Sequence, residues 1–501
     1  MAAKMAGSRD GELLRAPGEE EFVAAERKPS SYNPLHSFEL ARGDQRHYQQ
    51  QYGDMYFLRL AKLKPAVEEV ASEAWEGFQI AGDRVRRVER VLDVRQGELC
   101  WVVGTVYMDM PLKPNILDDI SKDHWISAPP PREKFVSPNG LDQIMLEDES
   151  GRLRMIGTPL QSEMLVTGCI IAVMGTENAN GDFEVIDMKV PDLPRQPQRW
   201  ERDDAEAVTG SKNKTSEART SGNRVALISG LSITGEEESG LLTEMLMEWL
   251  LGEAAGGDEQ ASTTQISRLI IAGNSLAEAS PIPPRDELST KKTSKRYGYD
   301  SSSYNSAPTT HLDNFLSTLL PSIPITLVPG ASDPANVAMP QQPLHPALFP
   351  HSRAYANAPA TTDGPCWFDP VTNPWEGDVD GWRLMGNGGQ PIDDIFKYVH
   401  DDDRLVMMEH ILRWRCGAPT APDTLWCYPF QDKDQFVIEE CPHVYFVGNQ
   451  PKYDTIVIDG PAGQAVRLIA LPKFSETGEV VLLDMDTLET EVVKFEAINE
   501  K

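Results

Sequence analysis

The sequence lacks several things, and each absence excludes a class of protein. No apolar run in its 501 residues approaches the roughly 20 that a membrane-crossing helix needs. The opening "MAAKMAGSRDGELLRAPGEEEF" has no apolar signal core, so secretion is not expected. The six cysteines (Cys100, Cys169, Cys366, Cys416, Cys427 and Cys441) include no C-x-x-C pair. Reduced thiols are expected, with no zinc finger, no disulfide framework and no cofactor. Basic residues are also short: 47 Lys and Arg stand against 77 Asp and Glu, a formal charge of −30. A protein that grips duplex nucleic acid needs cations against phosphates, and this chain as a whole would be repelled.

What remains is a polar, globular composition long enough for two or three domains. Residues 1–30 read as a disordered tail. Residues 31–79 are predicted to hold the N-terminal helices. In "DQRHYQQQYGDMYFLRLAKLK", Tyr52, Met55, Tyr56 and Leu60 fall on one helical face. Pro65 is expected to break this helix or start a second, "PAVEEVASEAWEGF". Residues 80–200 carry short β-rich runs such as "LCWVVGTVYMDM" and "MLVTGCIIAVMGTEN", separated by turn signals, and predict an OB barrel. Such a barrel binds single strands when aromatic and basic residues line its groove. Few of either stand in these runs, which favours protein binding. Residues 201–222 read as a linker. Residues 223–501 begin as βαβ units ("RVALISGL", "SRLIIAGNS", "PITLVPGAS") and close in consecutive strands, predicting a two-sheet α/β sandwich. Insertions at 252–264 and 281–309 are expected to be disordered and dispensable. The basic cluster Lys291–Arg296 reads equally as a nuclear localisation signal or an ordinary loop.

The strand ends of this last region have the outline of a dinuclear phosphoesterase, in which carboxylates and imidazoles hold two metals that activate water. The first strand should end in Asp-x-His, and "LISGLSI" supplies Gly230 and Ser232. The second should give Gly-Asp and a further Asp, and "AGNSLA" gives Gly273, Asn274 and Ala277. The third should read Gly-Asn-His-Asp, and it reads Gly330-Ala331-Ser332-Asp333. The last should read Gly-His-x-His, and "VGNQP" gives Gly448, Asn449 and Pro451. Asp333 alone keeps its type, and one carboxylate does not hold two divalent cations. His345, between prolines, reads as a packed or capping residue. The turns remain and the ligands do not, so no catalytic residue and no metal are expected.

Five segments carry a resemblance: "QYGDMYFLRLAKLKPAV", "VPGASDPANVAMPQQPLHPALFP", "TNPWEGDVDGWRLMGNGGQPIDDIFKYV", "APTAPDTLWCYPF" and "FVGNQPKYDT". Together they resemble the second, non-catalytic B-subunits of eukaryotic DNA polymerase delta. Trp375, Cys416 and Gly417 depart from that pattern at positions without chemistry. The resemblance implies N-terminal helices, an OB barrel and an inactive calcineurin-like phosphoesterase sandwich of αββα layers. It implies a nuclear scaffold in replication, repair and translesion synthesis. Its partners would be the cysteine-rich C-terminal module of the catalytic subunit and, on the barrel side, a third subunit. Polymerase zeta could share it, and contact with the sliding clamp and DNA would be indirect. The alternatives are a single-strand DNA-binding barrel protein, the B-subunit of another B-family polymerase and an active metallophosphoesterase.

Overall fold

The computed structural model describes residues 27, 30–41, 52–80, 82–114, 132–199, 222–235, 240–253, 257–278, 306–356 and 367–496. Its first strand, β1 (Tyr32–Leu35), leads to helix α1 (Gly53–Trp75). Next come β2 (Leu99–Asp109), β3 (Gln143–Glu147), β4 (Arg152–Ile156), β5 (Ile170–Glu177) and β6 (Asp182–Lys189). These five close into a barrel in the order β2-β3-β4-β6-β5-β2, with β4 and β6 parallel, which is the OB topology. Strand β2 is buried on both faces. Val102 and Val106 face the barrel interior, while Trp101 and Val103 pack outward against Leu60, Leu63, Val67 and Ala71 of α1. Alternation along a strand serves two cores at once, and each fully buried aliphatic side chain contributes about 1.5–3 kcal/mol.

The sandwich has two six-stranded sheets among the described residues. One contains β7 (Arg224–Ile228), β8 (Ile266–Ala272), β9 (Ile325–Val328) and β10 (Phe368–Pro370). The facing sheet adds β11 (Trp375–Val379), β12 (Trp382–Asn387), β13 (Val444–Gln450), β14 (Asp454–Asp459) and β15 (Ala465–Pro472) to β1. Strands β16 (Glu479–Asp484) and β17 (Thr490–Lys494) complete the first. The orders are β10-β9-β8-β7-β16-β17 and β1-β11-β12-β13-β15-β14. Leu227, Ile270, Phe446 and Ile469 fill the space between the sheets. Helices α2 (Leu241–Leu251), α3 (Gly257–Thr263) and α4 (Ala307–Leu319) belong to the first-sheet side, where α2 and α4 cover the outer face. Helices α5 (Gln390–Tyr398) and α6 (Arg404–Arg413) cover the outer face of the other. The apolar cluster under α5 and α6 runs on into the barrel interior, and Phe135, between β2 and β3, meets Tyr398 of α5 edge-on at 5.6 Å.

The structure corrects several expectations. Residues 31–79 are not all helical, because β1 joins the distant sandwich by pairing antiparallel with β11. Pro65 does not break the helix: α1 is continuous through it. Pro65 and Ala61, whose carbonyl loses its partner, both face solvent, and the opposite face is held by the barrel. Residues 42–51, which include the start of the expected first helix, lie outside the described residues. Of the segment 252–264, residues 254–256 lie outside the described residues, and the rest is ordered, with α3 at Gly257–Thr263. Gly252 caps α2 in the left-handed region, Gln260 Nε2 donates to the Gly252 carbonyl at 2.9 Å, and Thr263 is buried. Arg27 donates to the carbonyls of Leu250, Thr263 and Ile266, so the expected tail ends docked on this segment. Of the second insertion, residues 281–305 lie outside the described residues, and α4 begins at Ala307, inside the expected boundary. Residues 201–221 of the expected linker, residue 200 before it, and the Lys291–Arg296 cluster also lie outside them.

Candidate functional site

Strands β7, β8, β9 and β13 bring their carboxyl ends to one edge of the sandwich, and the expected positions meet there. Gly230 N–H donates to the Gly273 carbonyl at 2.9 Å, and Ser232 N–H to the Asn274 carbonyl at 3.0 Å. Ser332 N–H donates to Asn274 Oδ1 at 3.2 Å, and its hydroxyl to the Leu276 carbonyl at 2.6 Å. Asn449 Nδ2 donates to the Gly388 carbonyl at 2.8 Å, and its N–H to Ser229 Oγ at 2.9 Å. Ala331 and Pro451 are exposed, and Ala277 is half-buried without a polar side chain. Three non-glycine residues here, Ser232, Asn274 and, at the register shift within β13, Asn449, have φ of 49°, 54° and 58°. Left-handed backbone is unfavourable for side-chain-bearing residues, least so for Asn.

Asp333 lies at the centre and is 6% exposed. Its carboxylate accepts from Gly330 N–H at 2.8 Å, Leu276 N–H at 2.9 Å and Ser275 N–H at 3.2 Å. One donor comes from its own turn and two from the loop after β8, so Asp333 ties two loops together. Burial raises its pKa above the ordinary carboxylate range, and the backbone N–H groups pull it partly back. The glycines fit the same crossing. A side chain at Gly273, where φ is 84°, would meet Gly388 Cα at 2.9 Å. At Gly330 the constraint is space rather than φ, because a Cβ would sit 2.2 Å from Asn274 N.

The sequence motifs did not single out an amide ladder behind this edge. Gln341 Nε2 donates to the Gly330 carbonyl at 3.1 Å, and its Oε1 accepts from Asn373 Nδ2 and Gln390 Nε2, both at 2.9 Å. Asn373 Oδ1 accepts from Gly388 N–H at 3.0 Å. The Q-Q, T-N-P and G-G-Q stretches are thus one contiguous network. The signal was in the quoted segments, but amides do not announce partners far away in sequence. His345 accepts from Ala347 N–H at 3.1 Å and caps a short turn, as expected. Among the described residues, no group of three His, Cys, Asp or Glu side chains is placed to hold a metal. A cleft of about 300 Å³ lies elsewhere, between barrel and sandwich, lined by Tyr56, Tyr107, Glu147 and Asp423.

Comparison with known proteins agrees with the barrel. Residues 51–188 match the family model described as the DNA polymerase delta subunit OB-fold domain. Residues 225–455 match the family model for the B subunit of DNA polymerases alpha and epsilon. The chain is 37% identical over 471 residues to the DNA polymerase delta small subunit of Arabidopsis thaliana, covering 94% of this chain and 96% of that one. It is 34% identical over 493 residues to the Saccharomyces cerevisiae protein of the same name, covering 93% of each. It is 30% identical to DNA polymerase delta subunit 2 of Drosophila melanogaster over 475 residues, 94% of this chain and 98% of that one. Identity at this level along nearly the whole length of each relative places the chain in the family of DNA polymerase delta small subunits.

Proposed function

We propose that the chain is a non-catalytic scaffold of DNA polymerase delta whose sandwich is a phosphoesterase fold emptied of its metal chemistry. The observation that carries this reading is the donor set at the strand ends. Gly230, Ser232, Asn274, Ala277, Ala331, Ser332, Asn449 and Pro451 occupy the expected ligand positions, and the Asp333 carboxylate already serves three backbone N–H groups. Neutral amides and hydroxyls bonded to main chain are poor ligands for a pair of divalent cations. The left-handed backbone at Ser232, Asn274 and Asn449 supports the same history, since strained backbone gathers at functional sites. In this reading the polymerase activity resides in a partner.

The scaffold bridges the cysteine-rich C-terminal module of the catalytic subunit and a third, elongated subunit met on the barrel side, within the nucleus. The apolar cluster shared by barrel and sandwich supports the bridging role, because it joins the two domains by packing. The acidic charge fits a subunit that leaves the duplex to others. Co-purification tests the bridge. The catalytic module and the third subunit are expected to recover one another only when this chain is present. Their direct association in its absence would remove the role.

A further inference from the structure

Strand β14 lies at the outer edge of its sheet, paired on one side only, from Asp454 opposite Ala470 to Asp459 opposite Ala465. In an antiparallel pair, alternate residues turn both main-chain polar groups away from the neighbouring strand. Two side-chain contacts identify which residues do so here. The Asp454 carboxylate accepts from Thr455 N–H at 3.0 Å, and Arg413 donates to the Asp459 carbonyl at 3.2 Å. Thr455, Val457 and Asp459 therefore face outward. Side chains cap both ends of this row, while the N–H and C=O of Val457 at its centre meet no partner among the described residues.

The side chains around that open centre are apolar. Ile456 is 47% exposed and Val457 44%, and successive residues lie on opposite faces of the sheet. Edges that must stay unpaired usually carry a Lys, a Pro or a bulge. The stretch "DTIVID" holds neither residue, and its register with β15 runs without a shift. Acidic groups flank both ends. Asp454 holds Lys452 at 2.8 Å near Asp403, with Asp401 and Asp402 just before it in sequence. At the other end Asp192 and Glu409 surround Arg413, at 2.6 and 2.7 Å. Lys452 and Arg413 offset part of this charge, as do Lys134, which pairs with Asp402 at 2.7 Å, Arg404 near Asp402, and Arg415, which donates to the Asp192 carbonyl; the acidic groups remain in excess.

We propose that the β14 edge is a docking site for an extended segment of another polypeptide, apolar at its centre and basic at its ends, which adds a strand to the sheet. Main-chain bonds to Val457 give such a segment its register, Ile456 and Val457 give it apolar contact on both faces, and the acidic flanks select its charge.

The probe is a synthetic peptide, KKVTVTVKK, titrated into the full chain and followed by fluorescence anisotropy. Saturable binding is expected. It should weaken by at least about tenfold when the central peptide amide is N-methylated, and likewise when every Lys is replaced by Glu. Val457→Lys should weaken it by a similar factor with an unchanged melting temperature. Equal binding of the methylated or the Glu peptide would overturn the proposal, as would absence of binding to the wild-type chain. A concentration-dependent dimer abolished by Val457→Lys would assign the edge to a second copy of the chain instead.

Discussion

Asp333 is a buried carboxylate whose bonds all run to main chain, and its behaviour on substitution follows from that. Asp333→Ala strands three N–H donors, so unfolding in urea should show a loss of about 2 kcal/mol. The loss should depend on pH. The folded pKa is raised, so between the unfolded and folded values the native chain holds a proton that the unfolded chain has released. The Asp333 contribution is fully present below the unfolded pKa and declines as pH rises through the folded one. The cost of Asp333→Ala should therefore be larger at pH 4 than at pH 7. An equal cost at both, or a larger one at pH 7, would contradict the assignment. At Gly330 the constraint is volume. Gly330→Ala places a methyl group against the Asn274 backbone and should cost about 1–3 kcal/mol in the same assay. A neutral result would mean that the two loops separate easily.

At the scale of elements, α1 shows what holds the barrel to the sandwich. Arg59, fully buried, bonds Asp434 at 2.8 Å and the Pro419 carbonyl at 2.7 Å, crossing from α1 to the loops before β13. Removing one partner of a buried pair leaves the other charge uncompensated. Arg59→Ala should therefore cost about 3–5 kcal/mol and speed amide exchange throughout α1. Unchanged exchange in α1 would show that its apolar face suffices alone. The sequence revealed this helix only in part. The spacing of Met55, Tyr56 and Leu60 was legible, because amphipathic periodicity is local. Continuity through Pro65 was not, because it depends on the barrel packed against the opposite face. Strand β1 was missed for the same reason, since its partner β11 lies more than 300 residues away. The strand ends at Gly273 and Gly330 were legible as turns, whereas Gly448, also expected at a turn, lies within β13 at a register shift. The bonds of Asp333 to Ser275 and Leu276 needed the folded crossing of two loops.

For the whole molecule, a closed barrel and a two-sheet sandwich share one apolar cluster, and the chain as a whole is strongly acidic. The loop cluster at the strand ends is proposed to be architecture and not a metal site. The most direct test is hydrolysis of bis(4-nitrophenyl) phosphate by the purified full chain in the presence of manganese, with metal binding followed by calorimetry. The expected result is no turnover above buffer for wild type and Asp333→Ala alike, and no binding heat that the substitution removes. Manganese-dependent turnover that disappears in Asp333→Ala, while the variant remains folded, would contradict it.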